Sequence, residues 1–436
     1  MDFKEAMDWL YSIPRFATKN EVEKTKFFLE EEIGDFSKSI PTIHVAGTNG
    51  KGSVCAYLRA ALMESGLKVG MFTSPHLVSV CERFMINEEE ISEREFANTL
   101  EYVRSLIEDF HKRPGYEKYY PTFFEFAFFM AAVWFKNKKP DVIILETGLG
   151  GRLDATNCVS KKEISVITEI GLDHTEYLGD TKEKIAFEKA GIIKENTPVV
   201  FINKEESVSD VIRTHAKELN APIYEVSNKN IKIFERNGAG IDFSIQSLYD
   251  EFVEIVLNTK ALYQTENALI AFRTLEVLSK DFPFKLNRED IVKGFSKMNW
   301  PGRMETVADR FVIDGGHNED GIKAFLESVK GFNCEKKELL YSAVSDKDIE
   351  KAASLIVESG LFDKIYVCKL SGYRASGLEQ LKEAFKDAKN VEYFESVAAG
   401  IGEMISKRSS DTYSFAVGSL YLVGEIKALI YEEEIL

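Results

Sequence analysis

The chain has 436 residues, 44% of them hydrophobic and 12% aromatic, enough for two or three domains with full-sized cores. Fifty-five basic against 71 acidic residues give a formal charge of −16, of which −7 falls on residues 301–436 and −9 on residues 1–300. Neither part is a basic module, so neither a nucleic-acid partner nor an acidic membrane surface is expected. The longest apolar run, 126–135, has ten residues against the ~20 of a membrane-spanning helix. The N-terminus does not read as a signal peptide. The five cysteines, at 55, 81, 158, 334 and 368, form no Cys-x-x-Cys pair. That argues against a disulfide framework or structural zinc and for a cytoplasmic protein.

Taken in chain order, apolar runs at 43–46, 69–72, 142–145, 166–170 and 199–202 read as buried strands separated by helical patterns. Val54, Leu58, Ala61 and Leu62 make one helical stripe, closed by Gly66 as a C-cap. Thr122 with Glu125 three residues later is a capping box opening an apolar helix. Such alternation builds a parallel sheet with helices on both faces. Runs at 231–234 and 241–245 flank Asn237-Gly238, a hairpin signal, and predict a small antiparallel addition. A helix follows over 264–279. Trp300-Pro301-Gly302 breaks the pattern and serves as a linker, dividing the chain into 1–300 and 301–436. Beyond it a second series of strands, 311–313, 339–342, 365–368 and 415–417, alternates with helices such as 322–329. The fold class is therefore α/β: an N-terminal P-loop-type parallel-sheet domain with a small antiparallel addition, then a C-terminal Rossmann-like α/β domain. The terminal Glu432-Glu433-Glu434 reads as a solvated tail.

Gly47-Thr48-Asn49-Gly50-Lys51-Gly52-Ser53 follows the first strand and opens the first striped helix. Glycines let backbone N–H groups turn inward around phosphates, and the helix N-terminus adds partial positive charge. Lys51 supplies a cation and Ser53 a hydroxyl for Mg²⁺. The strict phosphate-loop spacing is not met: its first glycine would fall on Val45, and Gly52 separates Lys51 from Ser53. An ordinary glycine-rich turn is the competing reading.

Other candidates carry two readings each. Glu146, ending the 142–145 strand, faces a ligand crevice or is a solvated strand-end residue. His174 follows a strand, yet imidazole is a rare Mg²⁺ ligand. Ser74-Pro75 reads as a plain turn, and Lys189 within a helical run reads as a surface lysine. Gln264 and Asn267 read as a polar helix start. Arg303, on the linker, offers a fork that could reach phosphate when domains close. His317 after a strand is, on its residues alone, more readily structural.

The Gly-Thr-Asn-Gly-Lys-Gly-Ser run resembles the signature of the Mur ligase superfamily, whose members join an amino acid to a carboxylate with ATP. From Tyr11 to Glu425 the order of motifs resembles the folylpolyglutamate synthases and dihydrofolate synthases. The resemblance implies ATP and Mg²⁺ as cofactors, folate and L-glutamate as substrates, and an acyl-phosphate intermediate. It implies Mg²⁺ on Ser53 and Glu146, a second Mg²⁺ on His174, Glu146 and Ser74, and a carbamylated lysine at Lys189. Asn267 and Gln264 would meet adenine, with Tyr263 where the family has His. Arg303 and Asp314 would touch the nucleotide. His317, in Asp314-Gly315-Gly316-His317-Asn318, would sit near the incoming glutamate. Arg83 would pair with a folate carboxylate, Thr122 would meet the pterin, and Ser419 and Tyr421 would contact glutamate and folate. Lys51, Lys189 and His317 are thereby the catalytic candidates. Asp346-Lys347-Asp348 and Arg374 match positions near the cleft with no assigned role. Residues 16–24 lack two glycines and an arginine that relatives carry, which puts dihydropteroate use in doubt. The alternatives are a ligase acting on a UDP-muramyl substrate, a P-loop small-molecule kinase, or a nucleotide-gated binding protein. A monomer is expected.

Overall fold

The structure, a computed structural model, describes residues 1–13, 22–236, 240–280, 283–345, 347–372, 374–409 and 411–431. Asn237-Gly238, Asp346, most of the 16–24 run and the 432–434 tail therefore lie outside the described residues.

The first sheet comprises β1 (Thr42–Ala46), β2 (Val69–Phe72), β3 (Phe84–Ile86), β4 (Glu89–Glu90), β5 (Val142–Glu146), β6 (Ile164–Ile167), β7 (Val199–Ile202) and β8 (Ile223–Val226). Their spatial order is β4-β3-β2-β5-β1-β6-β7-β8, parallel except for the β2–β3–β4 meander. Every residue of β1, β2, β5, β6 and β7 is buried. That is why these strands read as nearly continuous apolar runs rather than as alternating ones. Alternate residues of β5 enter opposite cores. Ile143 and Leu145 join a phenylalanine-rich core around the Phe123–Lys138 helix. Val142 and Ile144 join the core beneath the Lys51–Glu64 and Gln264–Leu278 helices.

A separate antiparallel sheet, β9 (Ile231–Arg236), β10 (Ile241–Gln246) and β11 (Phe252–Leu257), packs on that second core. The last sheet runs β12-β13-β17-β14-β15-β16, made of β12 (Glu305–Ala308), β13 (Phe311–Ile313), β14 (Lys336–Tyr341), β15 (Lys364–Cys368), β16 (Val391–Phe394) and β17 (Thr412–Val417). Only β12 pairs antiparallel within it.

Two expectations need correction. The strand placed at 166–170 is Ile164–Ile167, because the following segment leaves the sheet to meet the glycine-rich loop. There Thr48 N–H donates to the Glu169 carbonyl at 2.8 Å. The first striped helix is capped at Ser65, with Gly66 at φ +83° one residue beyond it. Of the strands absent from the sequence reading, β3, β4, β8, β12 and β16 are short, peripheral and incompletely buried, and β11 completes the antiparallel addition.

Candidate active site

β1 ends at Ala46 and the Lys51–Glu64 helix begins five residues later, so residues 47–50 must reverse the chain tightly. Gly50, at φ +87°, is the left-handed N-cap, and a Cβ there would collide with Asn267 Oδ1. Gly47 likewise abuts the Thr168 side chain, which donates to the Asn49 carbonyl at 2.6 Å. Gly52 lies under the Trp300 indole, so the proposed linker touches the loop. Lys51 Nζ folds back onto the carbonyls of Gly47 and Thr48, at 3.1 and 3.2 Å. Ser53 is buried, and its Oγ accepts from Gln264 Nε2 at 3.2 Å. Gln264 Oε1 in turn accepts from Asn267 Nδ2 at 2.9 Å.

Beside this loop Glu146 ends β5, buried, its Oε2 accepting from the Ser74 N–H at 3.1 Å. Burial raises its pKa, opposed by the nearby charges of Lys51, Arg303 and Arg83. Lys189 is no surface lysine. It lies on the inner face of the Lys182–Ala190 helix, and its Nζ donates to the Gly47 carbonyl at 2.6 Å. Burial, reinforced by the charge of Lys51, lowers its pKa to about 7. His174 is a left-handed N-cap at φ +51°, and burial takes its pKa down to about 4, leaving the imidazole neutral at pH 7. Among the described residues no three His, Cys, Asp or Glu side chains converge on one point. Glu146, the hydroxyls of Ser53 and Ser74 and the neutral imidazole of His174 are the groups here that could hold a cation, and the oxygens among them suit Mg²⁺.

The second wall of the site comes from beyond the linker. Asp173 meets Lys347 in an ion pair and lies 3.3 Å from His317 Nε2. The other ring nitrogen, Nδ1, is 2.8 Å from the Gly315 carbonyl. Asn318 Nδ2 donates to Asn49 Oδ1 of the glycine-rich loop at 3.0 Å. Asp314 is 2% exposed, and its carboxylate accepts from Tyr263 OH, Met304 N–H and Gly316 N–H. Arg303 donates to the Gly302 carbonyl at 3.2 Å. Arg83 donates to His76 Nδ1 at 2.8 Å and lies 5.3 Å from the Phe123 ring centre. Thr122 and Glu125 exchange the two hydrogen bonds of the capping box, at 2.7 and 3.3 Å. Ser419 Oγ accepts from Tyr421 N–H, and Tyr421 OH accepts from Arg374, both at 3.0 Å.

One cleft of about 700 Å³ gathers these groups: its lining includes the residues singled out above as catalytic, nucleotide, metal or substrate candidates, except Gln264, which is buried behind Ser53 and Asn267. The sequence reading gave no role to Asp173, Lys347 or Glu169, which also line it. Asp173 precedes His174 directly, but nothing local in the sequence marks it as the partner of Lys347.

Residues 115–275 match the Mur ligase middle domain and residues 302–420 the Mur ligase glutamate ligase domain. The dihydrofolate synthase/folylpolyglutamate synthase of Bacillus subtilis (strain 168) is 32% identical over 431 residues, covering 98% of each chain. The chain belongs to the folylpolyglutamate synthase/dihydrofolate synthase family of Mur ligases. It is thus an ATP-dependent ligase in kind. The folylpolyglutamate synthase of Thermotoga maritima superposes with a TM-score of 0.84 at 30% identity, covering 100% of this chain and 98% of that one. A folylpolyglutamate synthase complex with AMPPCP and folate superposes at 0.85 with 28% identity, covering 99% of this chain and 100% of the other. No described helix is long and apolar enough to cross a membrane.

Proposed function

We propose that this protein is a folylpolyglutamate synthase, which uses ATP to join the γ-carboxylate of a reduced folate to the amine of L-glutamate. One observation carries the reading. The glycine-rich loop with Lys51, the carboxylate Glu146 and the buried amine of Lys189 face His317 and Lys347 across a single cleft. A folate- and AMPPCP-bound relative shares the fold over nearly the whole chain.

In this reading residues 1–300 bind ATP and residues 301–436 receive glutamate. Lys51 and the loop N–H groups of residues 47–53 hold the phosphates, and Arg303 adds charge from the linker. The folate carboxylate attacks the γ-phosphorus, ADP leaves, and an acyl phosphate forms. The glutamate amine then attacks the acyl carbon, and phosphate departs with the new amide in place. His317 and Lys347 meet the incoming glutamate, Ser419 and Tyr421 flank it, and Arg83 and Thr122 face the folate. Asn267 lies where the base would sit, and Lys189, carbamylated, is an anion beside the loop. Ser53, Glu146, Ser74 and His174 are the candidate holders of Mg²⁺, which when bound draws charge from the γ-phosphate. Most of the rate then comes from positioning and charge stabilisation. In this reading the protein acts as a monomer, and five unpaired cysteines fit a reducing cytoplasm.

The test is an ADP-release assay with tetrahydrofolate, dihydropteroate and a UDP-muramyl peptide, each with and without L-glutamate. Glutamate-dependent ADP release with tetrahydrofolate, and a product heavier by one glutamyl residue, supports the proposal. Turnover only with the muramyl peptide, or a phosphorylated product formed without glutamate, overturns it. Turnover with dihydropteroate as well would add dihydrofolate synthesis.

A further inference from the structure

The loop before the Gln264–Leu278 helix precedes the linker, yet four consecutive residues of it are held by the second domain. The Lys260 ammonium lies 4.2 Å from the centre of the Phe332 ring. Ala261 is fully buried among the core side chains of the last sheet and its helices. Leu262 N–H donates to Ser328 Oγ at 3.1 Å, and Tyr263 OH donates to Asp314 Oδ2 at 2.5 Å. The very next residue holds the opposite side. Gln264 Nε2 donates to Ser53 Oγ, and its side-chain Oε1 accepts from the Nδ2 of Asn267, whose own Oδ1 fills the space over Gly50.

One peptide bond therefore separates a hydrogen bond to the second domain from a hydrogen bond to the glycine-rich loop. Asp314 cannot move alone. Its other bonds, from Met304 N–H at 2.9 Å and Gly316 N–H at 2.7 Å, tie in the linker and the turn that carries His317. With three protein donors on a carboxylate that is 2% exposed, Asp314 acts as a junction between these segments.

We infer that Tyr263 is a positioning residue that couples the second domain to the glycine-rich loop, transmitting the place of the Asp314–His317 turn through Gln264 to Ser53. A phenol suits this task. It donates without carrying charge, and burial beside Asp314 raises its pKa well above the ordinary tyrosine value, so the bond persists across the working pH range. The inference rests on the proposed synthase reaction only for its turnover readout.

Two variants test it, Tyr263→Phe and Ser328→Ala, the second loosening the same segment at its other hydrogen bond to the second domain. Amide hydrogen exchange is measured on the peptide spanning 47–54, with and without AMPPCP. Both variants are expected to speed exchange there severalfold, although neither altered side chain has a hydrogen bond to that segment. In Tyr263→Phe, ADP release falls about tenfold, the worth of one hydrogen bond to a charged group, while the Kd of AMPPCP changes less than threefold. Exchange altered only within 260–268, 304–317 and 324–330 would overturn the coupling. So would a loss of AMPPCP affinity equal to the loss of turnover, which would make Tyr263 a direct nucleotide contact. If the wild-type chain shows no glutamate-dependent ADP release, the synthase reading fails, and the exchange data still decide this one.

Discussion

Lys189 Nζ lies 2.6 Å from the carbonyl oxygen of Gly47, the first residue of the glycine-rich loop. Among the described residues no carboxylate comes within ion-pair distance of this buried amine, and Lys51 donates to the same carbonyl. Burial and that neighbour bring its pKa from 10.5 to about 7, so much of it is neutral at physiological pH and able to react with carbon dioxide. The unfolded chain keeps the ordinary value. Between about pH 7 and 10.5 it therefore holds a proton that the native state lacks, and native stability rises with pH across that window, flattening below 7. Lys189→Met is expected to be more stable than the parent at pH 7, to lose this slope, and to lose at least ~100-fold in turnover. Thermal unfolding at several pH values, paired with ADP release, measures all three. An intact mass higher by one carbon dioxide in bicarbonate buffer, absent from the variant, would identify the carbamate.

Asp173 joins the two walls of the cleft through Lys347 and His317. Burial alone would raise its pKa. The hydrogen bond from His317 and the charges of His317 and Lys347 outweigh burial and hold the carboxyl far below the usual range. A depressed carboxylate contributes its full stability above the ordinary aspartate pKa and loses it only as pH falls below that value. Asp173→Asn is thus expected to cost roughly 2–3 kcal/mol throughout the neutral range, since it strands the positive charge of Lys347. Asp173→Asn/Lys347→Met should cost less than the two single changes added. Urea unfolding of the three variants at pH 7 checks the cycle, and additive costs would mean that the ion pair contributes nothing.

The contrast between legible and hidden parts follows from sequence separation and burial. β1, β5 and β7 could be read because every residue in them is buried, and the 47–53 loop because its residues are contiguous. β8, β12 and β16 sit at sheet edges, where Ile-Tyr-Glu-Val, Glu-Thr-Val-Ala and Val-Glu-Tyr-Phe carry neither a clean apolar run nor a period of two. The role of Asp173 depends on a residue 174 positions away, which no local pattern encodes. Lys189 left a signal that could have been used. It shares one helical face with Ile185, Ala186 and Ala190, all buried, so the periodicity turns it inward.

Glu146 sets an acid limb. Burial raises its pKa against the pull of Lys51, and only its anionic form can help hold a divalent cation. Turnover is expected to fall, as pH is lowered, at a value above the ordinary glutamate range. Added Mg²⁺ should shift this limb to lower pH by competing with the proton. EDTA should abolish turnover, and Glu146→Gln should lower it ~100-fold or more while removing the Mg²⁺-dependent shift. A limb that ignores Mg²⁺ concentration would count against Glu146 as a metal ligand.

Gly50 carries two separable demands, one on backbone angle and one on space. At φ +87° a side chain costs about 1–2 kcal/mol in backbone strain. The added Cβ of Gly50→Ala would also strike Asn267 Oδ1, forcing apart the contact between the Gln264–Leu278 helix and the loop. Relaxing either demand re-aims the N–H groups of residues 47–53, so the KM for ATP is expected to rise at least ~10-fold. Asn267→Ala in the Gly50→Ala background clears the space but leaves the angle untouched. The double variant should regain part of the lost thermal stability and retain a deficit of about the size of the strain. Full recovery would assign the whole cost to crowding, and no recovery would assign it to the angle alone. A Gly50→Ala protein with unchanged stability and unchanged KM for ATP would mean that the loop adopts a different path.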